Sequence, residues 1–112
     1  MIVEVRSYRT KPGLRSQFMD FFEGRALPAN RAQGMPVLGP LLDLECPDSF
    51  VWLRAFASLD ERERLKHAFY EGPLWKQELE AIAMPMLASH AAVLTEASQG
   101  YASFDGSRVV DL

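Results

Sequence analysis

Phe50-Val51-Trp52-Leu53-Arg54-Ala55-Phe56-Ala57, running directly into Ser58-Leu59-Asp60-Glu61-Arg62, constrains this chain more than any other stretch. It reads as a strand that is apolar on both faces, followed at once by a capped helix. Alternation along a strand sends Val51, Leu53, Ala55 and Ala57 one way and Phe50, Trp52, Arg54 and Phe56 the other. A sheet in a small domain usually buries one face and wets the other. Large aromatics on the second face therefore call for a cover, and the sequence points to a second subunit with a pocket between the two sheets.

The other elements fall around that strand. Ile2 to Thr10 predicts a first strand, with Val3, Val5 and Ser7 on one face and Ile2, Glu4, Arg6 and Tyr8 on the other. Lys11-Pro12-Gly13 breaks it and opens a helix whose Leu14, Phe18, Phe21 and Phe22 form one apolar stripe. Pro28 is expected to end or kink this helix. A second strand fits Val37 to Glu45, with Gly39-Pro40 marking a bulge or an edge position. Cys46-Pro47-Asp48-Ser49 makes the turn into the third strand. Ser58 with Glu61 has the spacing of a capping box, and Leu65, Ala68 and Phe69 give the next helix its apolar side. Gly72-Pro73 separates that helix from another carrying Trp75, Leu79, Ile82 and Met86. Ala91 to Ala97 supplies a fourth strand.

The order predicts an α+β, ferredoxin-like βαββαβ fold, a four-stranded antiparallel sheet with helices on one face. Residues 1–97 form the domain and residues 98–112 a small, polar C-terminal tail. The helices are assigned to the Val3, Val5, Leu53 and Ala55 side, which leaves Tyr8, Trp52 and Phe56 to a homodimer partner. Each large side chain so buried contributes about 1.5–3 kcal/mol, enough to close two sheets into a dimeric α/β barrel.

Composition narrows the functions. A formal net charge of -3, with Lys and Arg scattered, gives no basic face for nucleic acid. No apolar stretch is long enough to cross a bilayer, and no leader segment precedes Ile2, so a cytoplasmic location is expected. Cys46 has no partner for a disulfide. No zinc spacing, calcium loop, phosphate loop or nucleophile elbow occurs, so no metal and no cofactor is expected.

Phe50-Val51-Trp52-Leu53-Arg54-Ala55-Phe56 with Leu59-Asp60-Glu61-Arg62, then Ala68-Phe69-Tyr70-Glu71-Gly72-Pro73-Leu74-Trp75-Lys76, resembles the NIPSNAP family. So does Val3-Glu4-Val5-Arg6-Ser7-Tyr8-Arg9 ahead of Lys11-Pro12-Gly13 and a helix bearing Phe18 and Phe22. The resemblance covers residues 1–97 and leaves the tail outside. It implies the dimeric α/β barrel shared with cofactor-independent antibiotic-biosynthesis monooxygenases, EthD-like proteins and haem-handling barrels. It carries no agreed activity or catalytic set. The family's mitochondrial and vesicle-traffic links do not transfer to a chain that shows no leader.

Arg6, Tyr8, Trp52 and Arg54 are the candidate ligand-binding residues, because the first and third strands lie side by side at the centre of this topology. The arginines suit a carboxylate or enolate and the aromatics a flat ring. The alternative is a plain interface in which Arg54 pairs with Glu4 or Asp43. His90, just ahead of the fourth strand, and Tyr8 are the candidate catalytic residues for proton transfer, while His67 is read as a surface residue. Three functions remain compatible: a barrel binding a small aromatic or anionic molecule, a monooxygenase- or isomerase-type enzyme, and a non-catalytic dimeric scaffold.

Overall fold

The computed structural model describes residues 1–98. Strand β1 (Ile2–Thr10) lies at the centre of an antiparallel sheet with the order β2-β3-β1-β4, where β2 is Val37–Leu42, β3 is Ser49–Phe56 and β4 is Leu87–Glu96. All the helices pack on one face of the sheet, which is the ferredoxin-like arrangement expected. The bulge falls where the sequence placed it: the β2–β3 register shifts between Leu38 and Leu41. Gly39 is required there, since its φ of +116° suits only glycine and a Cβ would stand 3.0 Å from that of Trp52.

The first helix spans residues 15–32 and passes through Pro28 instead of ending at it. It is α-helical over Arg15–Phe21, widens into a π-turn over Phe22–Ala26 and resumes over Leu27–Ala32. Proline donates no backbone hydrogen bond, and the π-turn places it in the first turn of the resumed segment, where none is needed. Arg15 ties this helix to the β2–β3 turn by donating to the carbonyls of Asp43, Cys46 and Ser49 at 2.8–3.2 Å. The second helix (Leu59–Tyr70) is capped as expected, with Ser58 Oγ accepting from the Glu61 amide at 3.1 Å. It buries Leu65 and Phe69, while Ala68 faces solvent. The third covers residues 75–86, and its last turn, Met84–Met86, tightens around Pro85 into a 3-10 helix. β4 begins at Leu87, four residues before the alternating run that the sequence made visible.

One expectation is reversed. The helices cover the Phe50, Trp52, Arg54 and Phe56 face, and the core joins Phe18, Phe22, Leu65, Phe69 and Leu79 to Phe50, Trp52 and Phe56. Trp52 is only 2 % exposed beneath its own helices, so the pocket between two sheets read from the sequence is not where this side chain lies. The face left without a cover among the described residues carries Val5, Val51, Leu53, Leu41 and Val93, the last 61 % exposed. The physical reason is thickness. Helices stand well off a sheet, and long side chains fill that layer where valines and alanines would leave voids. Residues 99–112, which hold most of the expected tail, lie outside the described residues.

Candidate functional site

Between sheet and helices lies a cavity of about 250 Å³. Arg6, Tyr8 and Trp52 form its sheet side; Phe18, Phe22 and Asn30 come from the first helix, Phe69 and Tyr70 from the second, and Trp75 and Glu80 from the third. His90 lines it from β4, where sheet register sets it directly beside Tyr8 with ring centroids 5.7 Å apart. Four of the five residues singled out from the sequence thus share one cavity, though it is roofed by the chain's own helices. Arg54 is the exception: it is fully buried and does not line the cavity.

Arg54 acts as a clamp behind the wall. Sheet register makes it the direct neighbour of Glu4. Its Nε donates to Glu4 Oε1 at 2.9 Å, and its Nη1 donates to Asn30 Oδ1 and the Tyr70 hydroxyl, both at 3.0 Å. The pairing with Glu4 weighed from the sequence is present, within one chain. Glu4 in turn collects Arg6 at 3.2 Å, Arg62 at 2.6 Å and Lys66 at 3.4 Å. Burial pushes the Glu4 carboxyl upward, but Arg54, Arg6, Arg62 and Lys66 together outweigh it and hold the pKa at about 2.

Arg6 occupies the boundary between that ion cluster and the cavity. Nη1 donates to Glu4, while Nε and Nη2 donate to the Tyr8 hydroxyl at 3.3 and 3.1 Å. The guanidinium also lies 5.3 Å from the Trp52 ring centre and 5.6 Å from that of Tyr8, within cation–π range. Burial opposes its charge, yet neighbouring Tyr8, Tyr70 and Glu4 raise its pKa above the ordinary value. Burial likewise raises the Tyr8 phenol, Arg6 pulls it down, and the net direction is upward. Tyr8 therefore stays protonated at neutral pH and keeps an O–H able to donate.

The cavity retains unused donors. The hydroxyls of Tyr8 and Tyr70 accept from arginines, and among the described residues neither hydrogen has an acceptor. Trp52 Nε1 is buried without any hydrogen-bond partner. Trp75 differs, since its Nε1 donates to Glu80 Oε2 at 3.0 Å. Sequence reasoning missed Tyr70, Trp75, Asn30 and Glu80 as cavity residues. Tyr70 and Trp75 flank the Gly72-Pro73 break between two helices, and that shared break is the signal that brings them together.

No helix among the described residues is long and apolar enough to cross a membrane, and no cluster among them has the His, Cys, Asp and Glu content to hold a metal ion. His67 is exposed.

Fold and cavity define a ferredoxin-like α+β domain with an aromatic chamber beneath its helices. The chain belongs to the NIPSNAP family, whose sequence profile it matches over residues 3–99. No curated protein sequence matches it. An uncharacterized NIPSNAP-like domain protein from Burkholderia xenovorans shares the fold with a TM-score of 0.83 at 20% identity, covering 92% of this chain and 90% of that one. A NIPSNAP family protein of unknown function from Agrobacterium tumefaciens gives 0.78 at 21% identity, with 88% of each chain covered. A putative antibiotic biosynthesis monooxygenase from Nitrosomonas europaea gives 0.65 at 15% identity over 87% of this chain and 98% of that one.

Proposed function

We propose that this NIPSNAP-family protein binds one small, flat, aromatic molecule in the cavity under its helices. The carrying observation is the cavity itself, in which Tyr8, Tyr70 and Trp52 hold unused donors among aromatic rings. At about 250 Å³ it lies just below the usual range for drug-sized ligands, roughly 300–1,000 Å³, which suits a single ring or a small fused system. Ring stacking supplies affinity, and the donors fix the orientation of an oxygen on the ligand.

Trp52 and Trp75 are the only tryptophans, and both line the cavity. Intrinsic fluorescence of a Trp75→Phe variant therefore reports on Trp52 alone. Titration with single-ring carbonyl and phenol compounds is expected to quench it saturably, with Kd values of roughly 1 μM to 1 mM, the range open to ligands of this size. An emission that no such compound alters overturns the reading.

An enzyme of monooxygenase or isomerase type is the second reading, favoured by His90 beside Tyr8 at the cavity wall, ring centroids 5.7 Å apart and planes tilted by 49°. Tyr8 would donate to a developing oxyanion while exposed His90 accepts a proton. Oxygen uptake with polyphenols that is lost in His90→Ala supports it; no uptake by the parent protein removes it. A scaffold role alone leaves the unused donors without a purpose.

The homodimer is also a proposal, transferred to the opposite sheet face. Val5, Val51, Leu53, Leu41 and Val93 form an apolar surface there, and patches of this kind mark interaction sites. Light scattering is expected to give twice the 12.6 kDa chain mass, and Leu53→Glu to return it to the single mass. A monomeric parent protein at working concentration contradicts this.

A further inference from the structure

We infer that the cavity takes its ligand as a monoanion, with the negative oxygen beside Arg6 and within reach of the Tyr8 and Tyr70 hydroxyls; this rests on the binding reading above. The buried charges do not balance. Among the described residues the buried ionisable side chains are one carboxylate, Glu4, and two guanidiniums, Arg6 and Arg54. Burying a cation without a counter-charge is costly, and one carboxylate leaves one buried positive charge uncompensated. Arg62 and Lys66, partly buried, approach the same carboxylate and deepen the excess, although Arg62 also meets exposed Glu63 at 2.7 Å. Arg6 is the member of the cluster that lines the cavity, so the missing charge belongs there.

Hydrogen bonding points the same way. Arg54 Nη2 lies 2.9 Å from Glu4 Oε1, but Nε already donates to that oxygen, and Nη2 is left buried without an aligned acceptor. Trp52 Nε1 is buried and unpartnered in the cavity wall. Glu4 is thus saturated with donors, and those that remain, on Tyr8, Tyr70 and Trp52, call for an oxygen from outside the chain. Buried polar groups are rarely left unmatched, and donors gathered around a cation favour a charged acceptor.

The cavity lining limits the ligand to one charge. Around the cavity, β1 brings Glu4, Arg6 and Tyr8, β3 Arg54, the second helix Arg62, Lys66 and Tyr70, and β4 His90. The first helix lines it with neutral side chains only. The third contributes Glu80, the one carboxylate lining the cavity, tied to Trp75. A singly charged oxygen beside Arg6 is accommodated; a second negative charge on the same small ligand meets Glu80. Phenolates, enolates and aromatic carboxylates fit this description, whereas phosphate esters do not.

The test uses 4-nitrophenol, whose phenolate absorbs in the visible, with nitrobenzene as the neutral comparison and 4-nitrophenyl phosphate as the dianion. On binding to the full chain, the apparent pKa of 4-nitrophenol is expected to fall by at least about one unit, equivalent to a tenfold or greater preference for phenolate over phenol. Nitrobenzene and 4-nitrophenyl phosphate should each bind at least tenfold more weakly than the phenolate. Arg6→Gln should abolish the preference. Should that variant misfold, Tyr70→Phe reads the same interaction with Arg54 still held by Asn30, and should reduce the preference several-fold. A bound probe whose pKa is unchanged or raised overturns the inference. If nitrobenzene binds as tightly as the phenolate, the cavity reading survives and the charge assignment fails; if none of the three binds, both fail.

Discussion

Glu4→Gln is expected to lower the stability of the fold by about 3–5 kcal/mol, the cost of removing one partner from a buried ion cluster. Four cations converge on this carboxylate, and two of them, Arg54 and Arg6, are buried with it. Glutamine keeps the shape but leaves those guanidiniums with no anion. Domains of this size are stable by only about 5–15 kcal/mol, so the variant should melt many degrees lower or fail to accumulate. The same carboxylate makes stability depend on pH. Its folded pKa of about 2 lies below the ordinary 4.5, so its contribution is fully present above 4.5 and is lost as pH falls through about 2. A depression of that size corresponds to about 3 kcal/mol. Urea midpoints measured from pH 7 down to pH 2.5 should fall mainly below 4.5 in the parent protein and much less in Glu4→Gln. An equal acid sensitivity in both removes Glu4 from its central place.

Trp52→Ala is expected to cost about 3–5 kcal/mol, as large aromatic truncations in packed cores do. The indole touches Phe22 at 4.9 Å and Tyr8 at 5.7 Å between centroids, and both Arg6 and Arg54 lie within 5.3 Å of its ring centre. Its removal takes the cation–π contacts and the cavity wall together. Trp52→Phe separates the roles. It keeps an aromatic ring and removes an N–H that has no partner in the folded protein, so relief of that buried donor offsets part of the lost packing. The phenylalanine variant should therefore lose less than about 2 kcal/mol in a denaturant titration while binding an oxygen-bearing ring several-fold more weakly. Equal losses in stability from Ala and Phe would contradict this, since neither the retained ring nor relief of the unpartnered N–H would then count.

The architecture was legible because its signals are local. Ser58 with Glu61, the Gly39-Pro40 bulge and the Phe18, Phe21 and Phe22 stripe each act within a few residues, and each appears in the structure where its pattern placed it. Which sheet face the helices cover was not legible, since β3 is apolar on both sides and periodicity carries no sign. The uniformly apolar Val3, Val5, Leu53 and Ala55 side read as the helix-covered one, whereas the true inner face mixes Glu4, Arg6 and Arg54 with its aromatics. Glu4 and Arg54 are buried there because they stand opposite each other in the β1–β3 register and pair, a long-range contact between residues 50 positions apart. Arg6, Tyr8 and Trp52 could be grouped from strand alternation alone; His90 joins them because β4 begins at Leu87, ahead of the alternating run. Tyr70, Trp75 and Glu80 could not, because their approach depends on how two helices fold back across the Gly72-Pro73 break.

The arrangement of donors around Arg6 is tested most directly by a crystal structure of the full chain with 4-nitrophenol at a pH where the probe is ionised. The account predicts the ring against Trp52 beneath the helices, with its phenolate oxygen within hydrogen-bond distance of Tyr8 and Tyr70. A probe seated on the outer sheet face, or one lodged in the cavity with its oxygen turned toward Glu80, would contradict it.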